Sequence, residues 1–489
     1  MRLSELLATA GVSCLQQTGD VDVADVVADS RRCRAGCCFV AVRGTEADGH
    51  AYIASAIASG AAAVVCEDAS AVAGQVPCAV VDDTRRAVGR LAQAIRGWPA
   101  RKLTCVAITG TNGKTTVAHL MHAVLTAAGQ SPALLGTIGY ETGRRHLPAR
   151  MTTPGPILLA ELTTEMVADG RTHLIMEASS HALDQGRTAG IDFRAGVFTN
   201  VSGDHLDYHG TMDEYRAAKR RLFEGLPAEA VAIINRDDAV GAEMASATKA
   251  SVRWYGLSSA ADLWARIGRI DVTGTDFTFV DASREVDAHT VLIGRHNVYN
   301  CLAAALACQT LGIELPTAAE ALTSVRSIPG RLQRVETHGP FETFVDYAHT
   351  DDALRNVLSS LRPVTRGRLI VVFGCGGDRD RTKRPRMARM AEELADEVVV
   401  TSDNPRSERP KAIIEEVCAG FSESGRSRAL VEPDRHTAIG LAIGLARAGD
   451  VVLIAGKGHE TYQIVGDRRI DFDDVEVAAE ALRARERRG

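Results

Sequence analysis

The sequence predicts an α/β protein of three domains, two of them built on parallel sheets, and three observations lead there. The 489 residues suffice for several domains of ~100–200 residues each. Short apolar runs bounded by polar turns alternate with longer segments of helical periodicity, the pattern of strands buried between helices. A glycine-rich turn, Thr109-Gly110-Thr111-Asn112-Gly113-Lys114-Thr115-Thr116, follows one such run and opens a helix, which makes the central sheet phosphate-loop ATPase-like.

The first block, 1–98, mixes short strands and helices. Met1 to Leu7 starts an amphipathic helix with Ser4 as its candidate N-cap. Cys78–Val81 reads as a strand and 84–96 as a helix. The Trp98-Pro99 step marks a boundary, because the residue before proline leaves helical geometry. In the second block, 99–329, the apolar runs 103–108, 173–176, 196–198 and 231–234 predict a parallel sheet covered by helices. The third block, 330–489, begins near Pro329-Gly330, with Pro329–Arg331 a candidate hinge. Its runs 369–373, 397–400 and 451–454 predict a second, Rossmann-like doubly wound unit. Repeats, coiled coil and low-complexity segments are absent from the sequence.

Composition excludes several classes. Hydrophobic content of 45% and charged content of 24% are those of a globular protein. A net charge of −6 argues against general nucleic-acid binding. Apolar runs fall short of the ~20 residues that span a bilayer, and the N-terminus is charged too early for a secretory signal. The eleven cysteines are scattered, and Cys33 with Cys37-Cys38 lacks a second Cys/His pair at metal spacing. Reduced thiols and a cytoplasmic location follow as expectations, with no membrane and no obligatory protein partner. Lysines number only seven in an arginine-rich chain, so each is less readily casual surface charge.

The phosphate loop carries the first chemistry. Glycines let backbone N–H groups face phosphate oxygens, and the helix N-terminus adds partial positive charge. The loop residues Gly110, Thr111, Asn112, Gly113, Lys114, Thr115 and Thr116 are predicted to bind ATP. Lys114 offsets the β- and γ-phosphates, and the Thr115 hydroxyl is placed for Mg²⁺. The glycine spacing is short: Ile108 stands where the usual pattern has its first glycine. Two further strand ends carry Glu177 to His181 and Asp204-His205-Leu206-Asp207-Tyr208-His209. A carboxylate and a histidine beyond adjacent strands could hold a metal beside the phosphates. Mg²⁺ prefers oxygen, so a histidine ligand suits Mn²⁺ or a second, mixed site. Lys219 lies in a basic helix with Arg216, Arg220 and Arg221, which on residues alone reads as a solvated face.

Taken together these motifs resemble one family, the Mur ligases, which add amino acids to the cell-wall precursor peptide, and the resemblance covers essentially the whole chain. The loop is similar to that family's phosphate loop, short glycine spacing included. Several segments resemble the MurE type, which adds the third residue: Asp29-Ser30-Arg31, Thr152-Thr153-Pro154, Glu177 to His181 with Gln185-Gly186-Arg187, and Asp204 to His209. So do Asp346 to Thr350, Gly374 to Arg381, Asp403-Asn404-Pro405-Arg406 and Gly456 to Glu460. The resemblance implies an N-terminal UDP-binding domain, a central ATP-binding domain and a C-terminal amino-acid-binding domain. It implies ATP-dependent addition of meso-diaminopimelate to UDP-N-acetylmuramoyl-L-Ala-D-Glu through an acyl phosphate. Lys114, Lys219 and His205 would be catalytic. Thr115, Glu177, His205 and Lys219, the last as a carbamate, would hold Mg²⁺. Ser30, Thr45, Glu46 and Ala47 would contact the uridine diphosphate, and Thr152, Thr153, Ser179, Gln185 and Arg187 the muramoyl dipeptide. Asn297, Arg331 and Asp346 would surround the nucleotide's base and ribose.

The same resemblance bears on which amino acid is added. Diaminopimelate carries one carboxylate more than lysine, and a bidentate arginine reads such a group. Arg406 would do so within Asp403, Asn404 and Pro405; Arg379 would take another carboxylate, and Gly456 and Glu460 would complete the pocket around the distal ammonium. Three positions depart from the usual pattern: His296 for a common Phe, Gly203 for a frequent Arg and Asp351 for the usual Pro. The alternatives are the same reaction with L-lysine, another ligase of the superfamily such as a folylpolyglutamate synthase, and a phosphate-loop switch or motor.

Overall fold

The structure, a computed structural model, describes residues 1–45, 47–336 and 339–487. The chain divides into two compact units. The first holds Met1–Val201, His209–Tyr255 and Ala303–Ile313; the second holds Ser202–Tyr208, Gly256–Leu302 and Glu314–Gly489.

The first unit contains two sheets. The N-terminal one has the order Cys14–Thr18, Cys78–Val81, Ala61–Cys66, Cys37–Val40, Asp25–Val27, parallel except for its first strand. The helices Leu3–Ala10 and Thr84–Ile95 contribute Leu3, Leu6, Leu7, Val88 and Leu91 to the core on one face. Ser4 does not cap the first helix: Arg2 holds the N-cap position. The Ser4 backbone N–H and hydroxyl both donate to Asp20, at 3.0 and 2.9 Å, so a carboxylate from outside the helix meets the first-turn donors. The central sheet runs Ser251–Gly256, Val231–Asn235, Phe193–Phe198, Thr104–Thr109, His173–Glu177, Pro132–Leu135, all parallel, and ends in the antiparallel pair Gly139–Glu141 and His146–Pro148. Its inner strands are buried almost throughout, as parallel strands covered on both faces must be. Each of the four predicted strands extends by one residue at its end or by several at its start. Thr109, Glu177 and Asn235 still pair with their neighbours although the apolar pattern has stopped.

The second unit contains an antiparallel meander and one further main sheet. Leu263–Asp271, Gly274–Val280 and Glu285–Thr290 form an antiparallel meander that the sequence reading did not anticipate. Its outer strands are largely half-exposed and its mostly buried middle strand, Gly274–Val280, is interrupted by polar residues, so none shows the apolar run that flags a buried strand. The other sheet has the order Gln333–Val335, Glu342–Asp346, Val451–Ala455, Leu369–Cys375, Glu397–Ser402, Leu430–Val431, parallel but for the first strand. Helices Asp351–Leu361, Lys383–Leu394 and Pro410–Cys418 pack on one face, and Arg435–Leu445 and Asp474–Glu486 on the other, giving the doubly wound arrangement. A hairpin, Tyr462–Val465 with Arg468–Asp471, follows the strand Val451–Ala455. Among the described residues no helix is long and apolar enough to cross a membrane.

Candidate active site

The phosphate loop leaves the central strand Thr104–Thr109 and enters the helix Lys114–Ala127. Gly110 and Gly113 have φ of 150° and 88°, the region that favours glycine. A Cβ at Gly110 would also collide with Thr199 Oγ1. The adjacent strand's tip fastens the loop. Thr111 N–H donates to Asn200 O at 2.8 Å and Asn112 N–H to Asn200 Oδ1 at 3.0 Å; Thr199 Oγ1 and Asn200 Nδ2 donate to Asn112 O at 2.7 and 3.1 Å. Lys114 curls over the loop, its Nζ donating to Gly110 O at 2.8 Å and Thr111 O at 2.7 Å. Thr115 and Thr116 are buried.

Glu177, fully buried at the end of the neighbouring strand, joins this loop to a second group of predicted residues. Thr115 Oγ1 donates to Glu177 Oε2 at 2.9 Å. Thr137 reaches the same carboxylate through its N–H (2.9 Å) and hydroxyl (3.1 Å), and its hydroxyl meets Thr152 Oγ1 at 3.1 Å. Thr153 Oγ1 donates to Glu177 O at 2.7 Å and accepts from Ser179 N–H at 3.0 Å. Arg187 donates to Gln185 Oε1 through Nε (2.9 Å) and Nη2 (2.6 Å), and to Thr153 O through Nη1 at 3.3 Å. The structure therefore gathers Thr115, Glu177, Thr152, Thr153, Ser179, Gln185 and Arg187 into one network. The Thr115 hydroxyl and Glu177 carboxylate offer only oxygen donors, which fits a hard ion such as Mg²⁺.

Lys219 faces inward, 1% exposed, from the helix Met212–Glu224. Its Nζ donates to Gly110 O at 2.8 Å and lies 4.2 Å from the Tyr215 ring centroid; Tyr215 in turn meets Thr111 Oγ1 through its hydroxyl at 3.0 Å. The solvated-face reading of Lys219 is thus overturned. The helix buries Tyr215, Ala218, Lys219, Leu222 and Phe223 as one stripe and turns Arg220 and Arg221 outward. His205 belongs to the second unit, at φ 53°, with its Nε2 3.5 Å from Asp204 Oδ2. Among the described residues no three His, Cys, Asp or Glu side chains gather as a metal site.

In the N-terminal sheet, Ser30 and Thr45 follow the adjacent parallel strands Asp25–Val27 and Cys37–Val40. Ser30 is buried in a turn that Asp29 caps by accepting from Arg31 N–H. Gly44 N–H bonds Ala47 O at 2.9 Å in the second loop, and Glu46 lies outside the described residues.

The second unit's parallel sheet brings Asp346, Arg379, the 403–406 segment, Gly456 and Glu460 to the carboxyl ends of four adjacent strands, while Asn297 lies in the helix Arg295–Thr310 and Arg331 precedes the strand Gln333–Val335. Asp346 ends one strand. Its carboxylate accepts from Leu332 N–H (2.7 Å) and Ala348 N–H (2.8 Å), and burial raises its pKa against those bonds and the charge of Arg331. Arg331 lies over the Tyr347 ring, 5.2 Å from its centroid. Asn297 is buried and donates to Ile293 O at 2.9 Å. The loop from 403 to 408 is held from several sides. Asn404 Nδ2 donates to Glu460 Oε2 at 2.8 Å. Arg406, at φ 51°, donates through Nη1 to Gly377 O at 2.7 Å, which orients its guanidinium. Gly456 N–H donates to Asp346 O at 3.0 Å, and Arg379 is exposed, its Nη1 bonding Asp378 O at 3.1 Å. The departures from the family pattern are locally accommodated: His296 Nδ1 meets Ser360 Oγ at 3.1 Å, Asp351 pairs with Arg386 at 3.1 Å, and Gly203 has open space around it.

Residue reasoning missed three groups. Thr137 carried no sequence signal at all. Tyr215 stands four residues before Lys219, on the same helix face, and that spacing could have found it. Lys457 is wholly buried between Asp403, Asn404 and Glu460; the scarcity of lysine was its signal.

Comparison with known proteins agrees with this arrangement. Three family profiles match in order: "Mur ligase family, catalytic domain" over 22–96, "Mur ligase middle domain" over 108–308 and "Mur ligase, glutamate ligase domain" over 330–458. The chain is 44% identical to the UDP-N-acetylmuramoyl-L-alanyl-D-glutamate–2,6-diaminopimelate ligase of Geobacillus thermodenitrificans, covering 99% of this chain and 100% of that one. It is 44% identical to the protein of the same name from Gloeobacter violaceus, over 100% and 99% of the two chains. A solved structure of a ligase with that name superposes with a TM-score of 0.69 at 35% identity, covering 95% of each chain. With its whole length matched and its phosphate loop, Glu177 network and C-terminal strand-end loops in place, the chain belongs to the Mur ligase family.

Proposed function

We propose that the protein is an ATP-dependent ligase that joins meso-diaminopimelate to the D-glutamate of UDP-N-acetylmuramoyl-L-Ala-D-Glu. The observation that carries this reading is the 44% identity, over essentially the whole chain, to ligases named for that reaction. The family profiles support the division into domains at 1–98, 99–329 and 330–489.

The chemistry follows from the residues. A carboxylate is a poor electrophile, so one carboxylate oxygen of the dipeptide attacks the γ-phosphorus of ATP, giving an acyl phosphate and ADP. The free amine of the diamino acid then attacks the acyl carbon. The tetrahedral intermediate collapses, phosphate leaves, and the amine loses its proton. The loop N–H groups and the N-terminus of Lys114–Ala127 cradle the nucleotide's phosphates. Lys114 offsets charge as the phosphoryl group moves. Thr115 and Glu177, with His205 and Lys219 as a carbamate, would hold Mg²⁺, which would offset charge on the phosphate oxygens. Thr152, Thr153, Ser179, Gln185 and Arg187 hold the muramoyl dipeptide, Ser30, Thr45, Glu46 and Ala47 the uridine diphosphate, and Asn297, Arg331 and Asp346 the base and ribose. Arg406 and Arg379 take the carboxylates of diaminopimelate, and Glu460 its distal ammonium. An Arg406 left without a carboxylate by lysine costs roughly 2–5 kcal/mol, by analogy with breaking desolvated charge pairs. We place the reaction in the cytoplasm.

Product mass decides the proposal. With ATP, UDP-muramoyl dipeptide and equal meso-diaminopimelate and L-lysine, the diaminopimelate adduct should dominate. A comparable yield of the lysine adduct would overturn the choice of amino acid, and no adduct at all would overturn the reaction.

A further inference from the structure

Lys457 follows Gly456, whose φ is 121°, at the carboxyl end of Val451–Ala455. Its side chain is fully buried, an expensive place for an ammonium unless it is well paired. Its Nζ donates to Asn404 Oδ1 at 3.2 Å, Glu460 Oε2 at 3.3 Å and Asp403 Oδ1 at 3.5 Å, and lies 5.6 Å from the Tyr462 ring centroid. Behind the cluster, Arg435 donates to Ala455 O at 3.0 Å and is neutralised by the equally buried Asp474 at 2.7 Å.

The Asn404 amide can stand only one way round here. Lys457 Nζ and the Ile464 N–H, 3.0 Å away, are obligate donors, so both need the amide oxygen. The amide nitrogen must then face Glu460, which it does at 2.8 Å. Lys457 and Asn404 thus grip the same oxygen, Oε2, of Glu460. The partly exposed carboxylate keeps Oε1 without a hydrogen bond among the described residues. Two carboxylates and one ammonium leave a single net negative charge, matched to one incoming ammonium.

We propose that Lys457 is a positioning residue for the amino-acid substrate: it anchors Glu460 by one oxygen, so that the other receives the distal ammonium, and leaves the Asp403–Lys457–Glu460 cluster with a single net negative charge. This rests on the reading of these strand-end loops as the diamino-acid pocket.

Steady-state kinetics of Lys457→Met, Lys457→Arg, Glu460→Gln and the Lys457→Met/Glu460→Gln double variant test it. Lys457→Met should raise KM for meso-diaminopimelate by roughly tenfold to a hundredfold, with kcat and KM for ATP changed far less. Lys457→Arg should recover part of the loss. In the double variant the two losses should fall short of additive, because the lysine acts through Glu460. An unchanged KM in Lys457→Met, with a raised KM in Glu460→Gln, overturns the role of Lys457 and leaves the pocket standing. An unchanged KM in Glu460→Gln overturns the pocket itself. If Lys457→Met does not fold, Lys457→Arg against Glu460→Gln carries the comparison: a KM raised in Lys457→Arg, though less than in Glu460→Gln, with kcat near the parent's supports positioning, and a KM equal to the parent's refutes it.

Discussion

Lys219 donates to the carbonyl of Gly110, inside the phosphate loop itself, so any change at its nitrogen is felt where the nucleotide's phosphates lie. Carbamylation forms an N–C bond between a neutral amine and CO₂, releases a proton and turns a cation into an anion. A guanidinium does not do this at ordinary pH. Lys219→Arg is therefore expected to lose most activity. Lys219→Ala should be partly rescued by millimolar formate or acetate, which return a carboxylate to the emptied space. Turnover equal to the parent's in both variants would refute the carbamate. The residue's burial was legible in hindsight: Tyr215, Ala218, Lys219, Leu222 and Phe223 form a helical stripe in which four members are apolar or aromatic. The three neighbouring arginines drew the eye to charge and away from periodicity. Thr137 was not legible at all, because a lone threonine in a turn acquires its role only from the carboxylate that folding brings to it.

At the level of elements, the loop that carries Arg406 is held in an unfavourable backbone conformation by its surroundings. A non-glycine residue at φ 51° costs on the order of 1–2 kcal/mol. The hairpin offsets this, since Arg406 N–H donates to Ile464 O at 3.0 Å and Gly466 N–H returns to Arg406 O at 2.8 Å. The loop's far end is clamped by Arg384, whose buried guanidinium bonds Glu408 through both terminal nitrogens, at 2.7 and 2.9 Å, and Glu416 at 2.8 Å. Those bonds hold the Glu408 carboxyl down at about 2, from an ordinary 4.5. A carboxyl depressed in the folded state adds stability that is complete above its unfolded pKa and is lost as pH falls toward the folded one. The urea midpoint of the parent should therefore exceed that of Arg384→Met at pH 7. The gap should begin to close below about pH 4.5; a gap that stays constant down to pH 3 would count against the clamp. The sequence displayed the Asp-Asn-Pro-Arg loop but not its clamp, because Arg384 sits among Arg379, Arg381 and Arg386 and only the fold singles it out.

For the molecule as a whole, the phosphate loop and the residues proposed to hold the muramoyl dipeptide belong to one compact unit, and Arg406, Lys457 and Glu460 to the other. The parallel sheets were readable from their apolar runs, and the phosphate loop from its glycines. The meander of 263–290 was not, since its outer strands are half-exposed and its middle strand alternates apolar with polar residues, leaving no such run. A ligase and a phosphate-loop switch differ in what hydrolysis requires. Phosphate release should depend on both the UDP-muramoyl dipeptide and the diamino acid; steady release with ATP alone, unchanged by either, would favour the switch. Within the first unit, Glu177 Oε2 is shared by Thr115 of the phosphate loop and by Thr137, which leads to Thr152. A ligand that draws Thr115 away alters what Thr137 and Thr152 have to hold. If these residues hold the two substrates as proposed, the two pockets are linked, and linkage runs equally both ways: the dipeptide would change the affinity for nucleotide by the same factor as the nucleotide changes the affinity for dipeptide. One buried carboxylate would thus couple the proposed nucleotide and dipeptide sites.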